Sequence, residues 1–77
     1  MFNRLWTKPY CGVSHLRQPS RRYQFTVNEH KDGSAYGYML DLDSDRAFTA
    51  AKEVWSMNAA SARGTLEAWA RELDLMR

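Results

Sequence analysis

The densest run of potential ligands in the chain is Asp41-Leu42-Asp43-Ser44-Asp45, whose alternating aspartates open the way a calcium-binding loop does. Such a loop needs glycine at its sixth position for the turn and a bidentate glutamate at its twelfth to close the coordination shell. Arg46 and Lys52 occupy those two places, so the match fails where geometry and coordination are decided. No metal is expected there, and the run reads as an acidic strand end leading into a helix cap.

Cys11 and His15 are four residues apart, and His30 is the second histidine. A tetrahedral zinc site wants four ligands, usually cysteine and histidine in pairs, which this spacing does not supply. A thiolate nucleophile activated by a neighbouring imidazole is conceivable. In a short chain, however, a lone cysteine more often serves as a small buried apolar residue. Gly12, Gly33, Gly37 and Gly64 are too scattered for a phosphate-binding loop, and neither G-x-S-x-G nor H-E-x-x-H occurs. The residue types therefore predict no enzyme, no cofactor and no metal.

The chemistry that does stand out is basic. Arg17, Arg21 and Arg22 flank Pro19, Tyr23 follows, and Trp6, Lys8 and Tyr10 lie upstream. Guanidinium groups bind phosphates bidentately and aromatic rings offer stacking platforms, so this interleaving suits a nucleic-acid surface. Residues 1–23 carry five basic residues and no acid, a charge of +5. Residues 24–77 carry six basic against nine acidic, a charge of −3. The overall pI of about 8.9 lies just below the value of about 9 that marks dedicated nucleic-acid binders. A molecule basic at one end and acidic on another face is suited to docking on a protein, where charge complementarity raises the association rate.

These groups have to be positioned by a single domain of 77 residues, a length at which apolar burial and ordering entropy nearly cancel. Ten aromatic side chains make a thin two-layer core feasible. The start Met1-Phe2-Asn3-Arg4 leads into mixed polar sequence, so neither a signal peptide nor a membrane span is expected, and a reducing cytoplasm is the default.

Cys11, Val13 and His15 give a short strand signal, while the rest of residues 1–20, punctuated by Pro9 and Pro19, supports no firm assignment. Tyr23, Phe25 and Val27 alternate with polar residues, which predicts a strand with one apolar face. Residues 29–34, with Asp32-Gly33 inside, read as a hairpin loop. The return strand would carry Tyr36, Tyr38, Leu40 and Leu42 on one face and Gly37, Met39, Asp41 and Asp43 on the other. Ser44 or Asp45 can cap a following helix with Ala47, Phe48, Ala51, Val54 and Trp55 on one side and Asn58 at its exit. A second helix is expected from about Ser61 to Leu75, with Leu66, Trp69, Ala70, Leu73 and Met76 as its apolar stripe.

The expected fold is thus α+β: a small antiparallel sheet of two or three strands, built on a central hairpin and packed on one face by two C-terminal helices. Tyr23, Phe25, Tyr38 and Leu40 should share that face with Phe48, Trp55, Leu66 and Trp69, and Asp41 and Asp43 should point away. The function this implies is a small non-enzymatic adaptor or inhibitor that docks stoichiometrically on a protein partner. Lys8, Arg17, Arg21, Arg22, Asp41 and Asp43 are its candidate contact residues. Mobile-element proteins that disarm a host nucleic-acid machine, anti-CRISPR and anti-restriction proteins among them, are often this small, though no motif ties the chain to one family. The alternative is a DNA- or RNA-binding module that uses the basic segment.

Overall fold

The computed structural model describes residues 5–45 and 49–75. Its elements are β1 (Val13–His15), β2 (Tyr23–Glu29), β3 (Ala35–Asp41), β4 (Lys52–Ser56) and α1 (Ala59–Glu72). The four strands form one antiparallel sheet in sequence order, and α1 packs on one face of it. The class is α+β as expected, but among the described residues there are four strands and one helix.

Each corrected element has a local cause. Lys52–Ser56 was expected within the first helix, because Ala47, Phe48, Ala51, Val54 and Trp55 recur at helical spacing. It is instead β4, paired along β3 from Ala35↔Ser56 to Met39↔Lys52. Val54 faces the helix side and Trp55 the opposite side, so two adjacent apolar residues serve two faces. Phe48 and the remainder of that expected helix start, residues 46–48, lie outside the described residues. Asn58 was expected to end a helix and begins one. Its backbone is extended and its side-chain Oδ1 accepts the Ser61 N–H at 2.7 Å, the usual N-cap bond. At the other end Asp74 takes a positive φ of 58°, and the N–H groups of Asp74 and Leu75 bond to the carbonyls of Arg71 and Ala70. This closes the helix in a Schellman motif with Leu75 packed against the core. Met76 is not among the described residues.

The hairpin β2–β3 decides which side chains meet the helix. Glu29 stays in the ladder opposite Ala35, so the loop has five residues, 30–34, and not six. The loop is closed by His30 N–H to the Ser34 carbonyl (2.8 Å) and by Asp32 Oδ1, which accepts both the Ser34 N–H (2.9 Å) and its hydroxyl (2.6 Å). A six-residue loop would have set Phe25 opposite Tyr38. The actual register sets Phe25 opposite Met39 and Val27 opposite Gly37. A one-residue change inverts a strand's faces, so Ala35, Gly37 and Met39 meet the helix while Tyr36, Tyr38 and Leu40 stand on the open side. The expected grouping of Tyr38, Leu40 and Trp55 with Leu66 is therefore reversed for those three residues.

The core is Phe25, Val27, Ala35 and Met39 from the sheet against Ala59, Ala62, Leu66 and Ala70 from α1, with Trp6 and Leu16 at one end. Apart from Leu66, the residues the helix buries are all alanines, and the central sheet residue is Gly37. A Cβ built on Gly37 would lie 2.8 Å from Leu66 Cδ1 and 3.2 Å from Val54 Cγ1. Gly37 is thus the seat on which Leu66 rests. At the β1 edge, Thr7 N–H bonds to the His15 carbonyl (2.9 Å) and Arg17 N–H to the Leu5 carbonyl (2.6 Å). The N-terminal segment thereby covers that edge strand. Tyr10 and Val13 exchange both backbone bonds across Cys11-Gly12, two residues with positive φ of 52° and 80°, which is a type I′ hairpin turn.

Two stability outcomes are expected. Gly37→Val drives two methyl groups into the Leu66 seat and should lower unfolding free energy by about 1–3 kcal/mol, read by urea denaturation. Asn58→Ala should cost about 1 kcal/mol through loss of the N-cap bond, with the unfolding slope unchanged.

Candidate functional site

The open face of the sheet is built by register. Tyr36 lies opposite Trp55 and Tyr38 opposite Glu53, and on the far side Thr26 lies between Tyr38 and His15. The aromatic rings meet across and along the strands. The Tyr36 and Trp55 centroids are 4.4 Å apart with a 34° tilt, and those of Tyr36 and Tyr38 are 5.5 Å apart with a 32° tilt. The His30 ring from the hairpin loop stacks on Trp55 at 6.2 Å and 16°. The result is a continuous row, Tyr38–Tyr36–Trp55–His30, with Trp55 69% exposed. Tyr36, Tyr38, Leu40 and Ala50 line a shallow depression of about 290 Å³ at one end of it.

One carboxylate sits within this row. The Tyr36 hydroxyl donates to Glu53 Oε2 at 2.5 Å. That bond, with burial of the phenol as a smaller cause, pushes the Tyr36 pKa up to about 12. The strand positions on the open face are Val13, His15, Gln24, Thr26, Asn28, Tyr36, Tyr38, Leu40, Glu53 and Trp55, with no lysine or arginine among them. His15 is held by its backbone N–H to Thr7 Oγ1 and by an Nδ1 contact of 3.0 Å with the buried Thr26 hydroxyl.

The charged residues singled out in the sequence do not form this site. Arg22 and Asp41 come together in a fork, with Nε to Oδ1 at 3.1 Å and Nη2 to Oδ2 at 3.2 Å. This pairing raises the Arg22 pKa and holds the Asp41 carboxyl below its ordinary range. The Asp41 contribution is therefore present above the ordinary carboxyl range and lost as pH falls through the lowered value. Arg22 also lies over the Tyr23 ring at 5.2 Å. The fork ties the start of β2 to the end of β3, and so joins the two charge halves that the sequence had set apart. Asp41 lies on the helix side of β3 by register, and not on an acidic open face as expected. Asp43 is exposed beyond the strand and donates its N–H to Asp41 Oδ1. Lys8, Arg17 and Arg21 are exposed in the N-terminal segment.

Cys11, expected to be buried, is exposed at the tip of the type I′ turn. Among the described residues no three His, Cys, Asp or Glu side chains gather as a metal ion would require. Tyr36, Tyr38, Leu40 and Trp55 are the residues that sequence reasoning assigned to the core and the structure places outside. The loop length was the signal that could have found Tyr36, Tyr38 and Leu40, whereas Trp55 was missed because the β4 sequence also fits a helical stripe.

The Tyr36–Glu53 bond has a pH signature. A raised folded-state pKa stabilises the fold fully below the ordinary phenol value of 10.0, and that contribution is lost as pH rises through about 12. Ultraviolet titration should show one tyrosine ionising near pH 12 that returns toward the ordinary range in Glu53→Gln.

No family model, curated protein or solved structure matches the chain.

Proposed function

We propose that this protein is a small binding module that docks stoichiometrically on a protein partner through the open face of its sheet. The observation that carries this reading is the outward aromatic row, with Trp55 at its centre and 69% exposed. Single exposed apolar residues are ordinary. A contiguous row of Trp and Tyr held by cross-strand packing is the composition of interface hot spots, where rigid aromatic rings bury large area at small entropic cost. The strands fix each ring through backbone pairing, so the surface is largely organised before a partner arrives, which lowers the cost of binding.

The same rings could stack nucleic-acid bases, and this second reading draws on the exposed Lys8, Arg17 and Arg21. Electrostatics disfavours it. A strand tracking along the row would bring its phosphates beside Glu53, and Arg22 is already engaged by Asp41. Among the described residues no helix is long and apolar enough to cross a membrane, and α1 is committed to the core through its apolar side.

The test is partner capture from the source cell with nuclease present, identification of the bound protein, and reconstitution with the purified pair. Trp55→Ala should weaken the reconstituted complex by at least about 2 kcal/mol, roughly thirtyfold, while leaving the urea midpoint close to wild type. Arg21→Ala should change affinity little. Salt-steep binding to generic single strands, lost in Arg21→Ala and retained in Trp55→Ala, would transfer the function to the basic segment.

A further inference from the structure

Glu53 is an exposed carboxylate set among apolar rings, and no cation of the described residues pairs with it. The nearest lysine in sequence, Lys52, points to the other side of the sheet, where its Nζ lies 3.6 Å from Glu72 Oε2 and 5.5 Å from the centre of the Trp69 ring. The Arg22–Asp41 ion pair lies at the end of β3 and on the helix side. Glu53 is also oriented. The Tyr36 hydroxyl donates to one of its oxygens, Oε2, which leaves Oε1 to accept from outside. Beside it stands the exposed indole of Trp55, two residues along the same strand and on the same face.

An aromatic face next to an unpaired, oriented carboxylate is complementary to a planar cation. Guanidinium stacks on aromatic rings, is weakly hydrated for a cation, and donates several N–H bonds in its own plane. Ammonium shares the charge but lacks the planar donor edge and is more strongly hydrated. Phosphates and carboxylates are repelled by Glu53. Resting on the docking role argued above, we propose that the open face receives an arginine side chain of the protein partner. Its guanidinium lies against the part of the Trp55 indole that Tyr36 and His30 leave exposed, and its N–H groups reach Glu53. The depression lined by Tyr36, Tyr38, Leu40 and Ala50 then accepts an apolar neighbour of that arginine.

The experiment is an NMR titration of the full chain with N-acetyl-arginine amide, following the Trp55 indole N–H, assigned through Trp55→Phe. N-acetyl-citrulline amide serves as the neutral isostere and N-acetyl-lysine amide as the non-planar cation. The arginine probe should shift the Trp55 signal in a saturable way and bind about threefold to tenfold more tightly than citrulline. Glu53→Gln, whose fold is checked by its thermal midpoint, should remove that preference.

Equal binding of arginine and citrulline, an unchanged preference in Glu53→Gln, or shifts confined to Trp6 and Trp69 would each overturn the proposal. So would concentration-dependent Trp55 shifts in the chain alone, which would mean that a second copy occupies the face. The purified partner separates this inference from the docking role. If Trp55→Ala loses the partner while Glu53→Gln keeps full affinity, the arginine is wrong and the docking face stands. If both variants keep full affinity, the docking face itself is wrong.

Discussion

The close approach of Leu66 to Gly37 is the contact from which the rest of the structure follows. A chain of 77 residues cannot fill a deep interior, and this one brings helix and sheet together by removing side chains from between them. α1 presents Ala59, Ala62 and Ala70 around one leucine, and β3 presents Ala35 and Gly37 beneath it. A Cβ at position 37 would come within 2.8 Å of Leu66 Cδ1, so Leu66 would have to shift in a densely packed seam. Because the seam requires the small residues of β3 on the helix side, strand alternation sends Tyr36, Tyr38 and Leu40 to the other side. The aromatic face is thus the necessary reverse of a thin core.

The same seam accounts for how the ends are handled. With alanines contributing little buried area, the remaining large apolar groups have to come from β2 and from the periphery. Phe25 and Val27 supply the first, and Trp6, Leu16, Trp69 and Leu75 enclose the edges. Trp6 is brought in by the N-terminal segment that pairs alongside β1, so one act of pairing both covers a sheet edge and adds a large ring to the core. On the opposite edge Lys52 reaches Glu72 and the Trp69 ring, which joins β4 to the last turn of α1.

What was legible in the sequence depends on how local the determining interaction is. The β2–β3 hairpin was legible because alternation and an Asp-Gly turn lie within twenty residues. So was the body of α1, from the recurrence of Leu66, Trp69 and Ala70. The face of β3 was not legible, because it hangs on whether Glu29 belongs to the strand or the loop. The choice is made by hydrogen bonds of Asp32 and Ser34 within the loop and by helix packing from residues thirty positions away. Tyr36 and Tyr38 are the larger apolar groups, so burial by size points inward, whereas the helix selects for smallness. β4 was hidden for a related reason. Val54 and Trp55 are adjacent and both apolar, which matches a helical stripe as well as a strand with two occupied faces, and only the open edge of β3 decides between them.

The charge split changes meaning once the structure is in view. As a linear pattern, +5 in residues 1–23 against −3 in the remainder implies two opposed surfaces. In three dimensions Arg22 and Asp41, one from each half, form a two-point fork that turns part of the asymmetry into structural cross-linking. On the proposed docking role, the charge that bears on recognition is Glu53, which no cation of the described residues pairs and which stands beside aromatic rings. Charges surrounded by water are screened and contribute little to specificity, whereas a carboxylate flanked by Trp55 and Tyr36 becomes further desolvated when a partner covers it. Its cost then has to be met by a cation in the right place. In that proposed role, Glu53 would make an otherwise permissive aromatic surface selective, because it would penalise every partner that covers the row without bringing a donor to it.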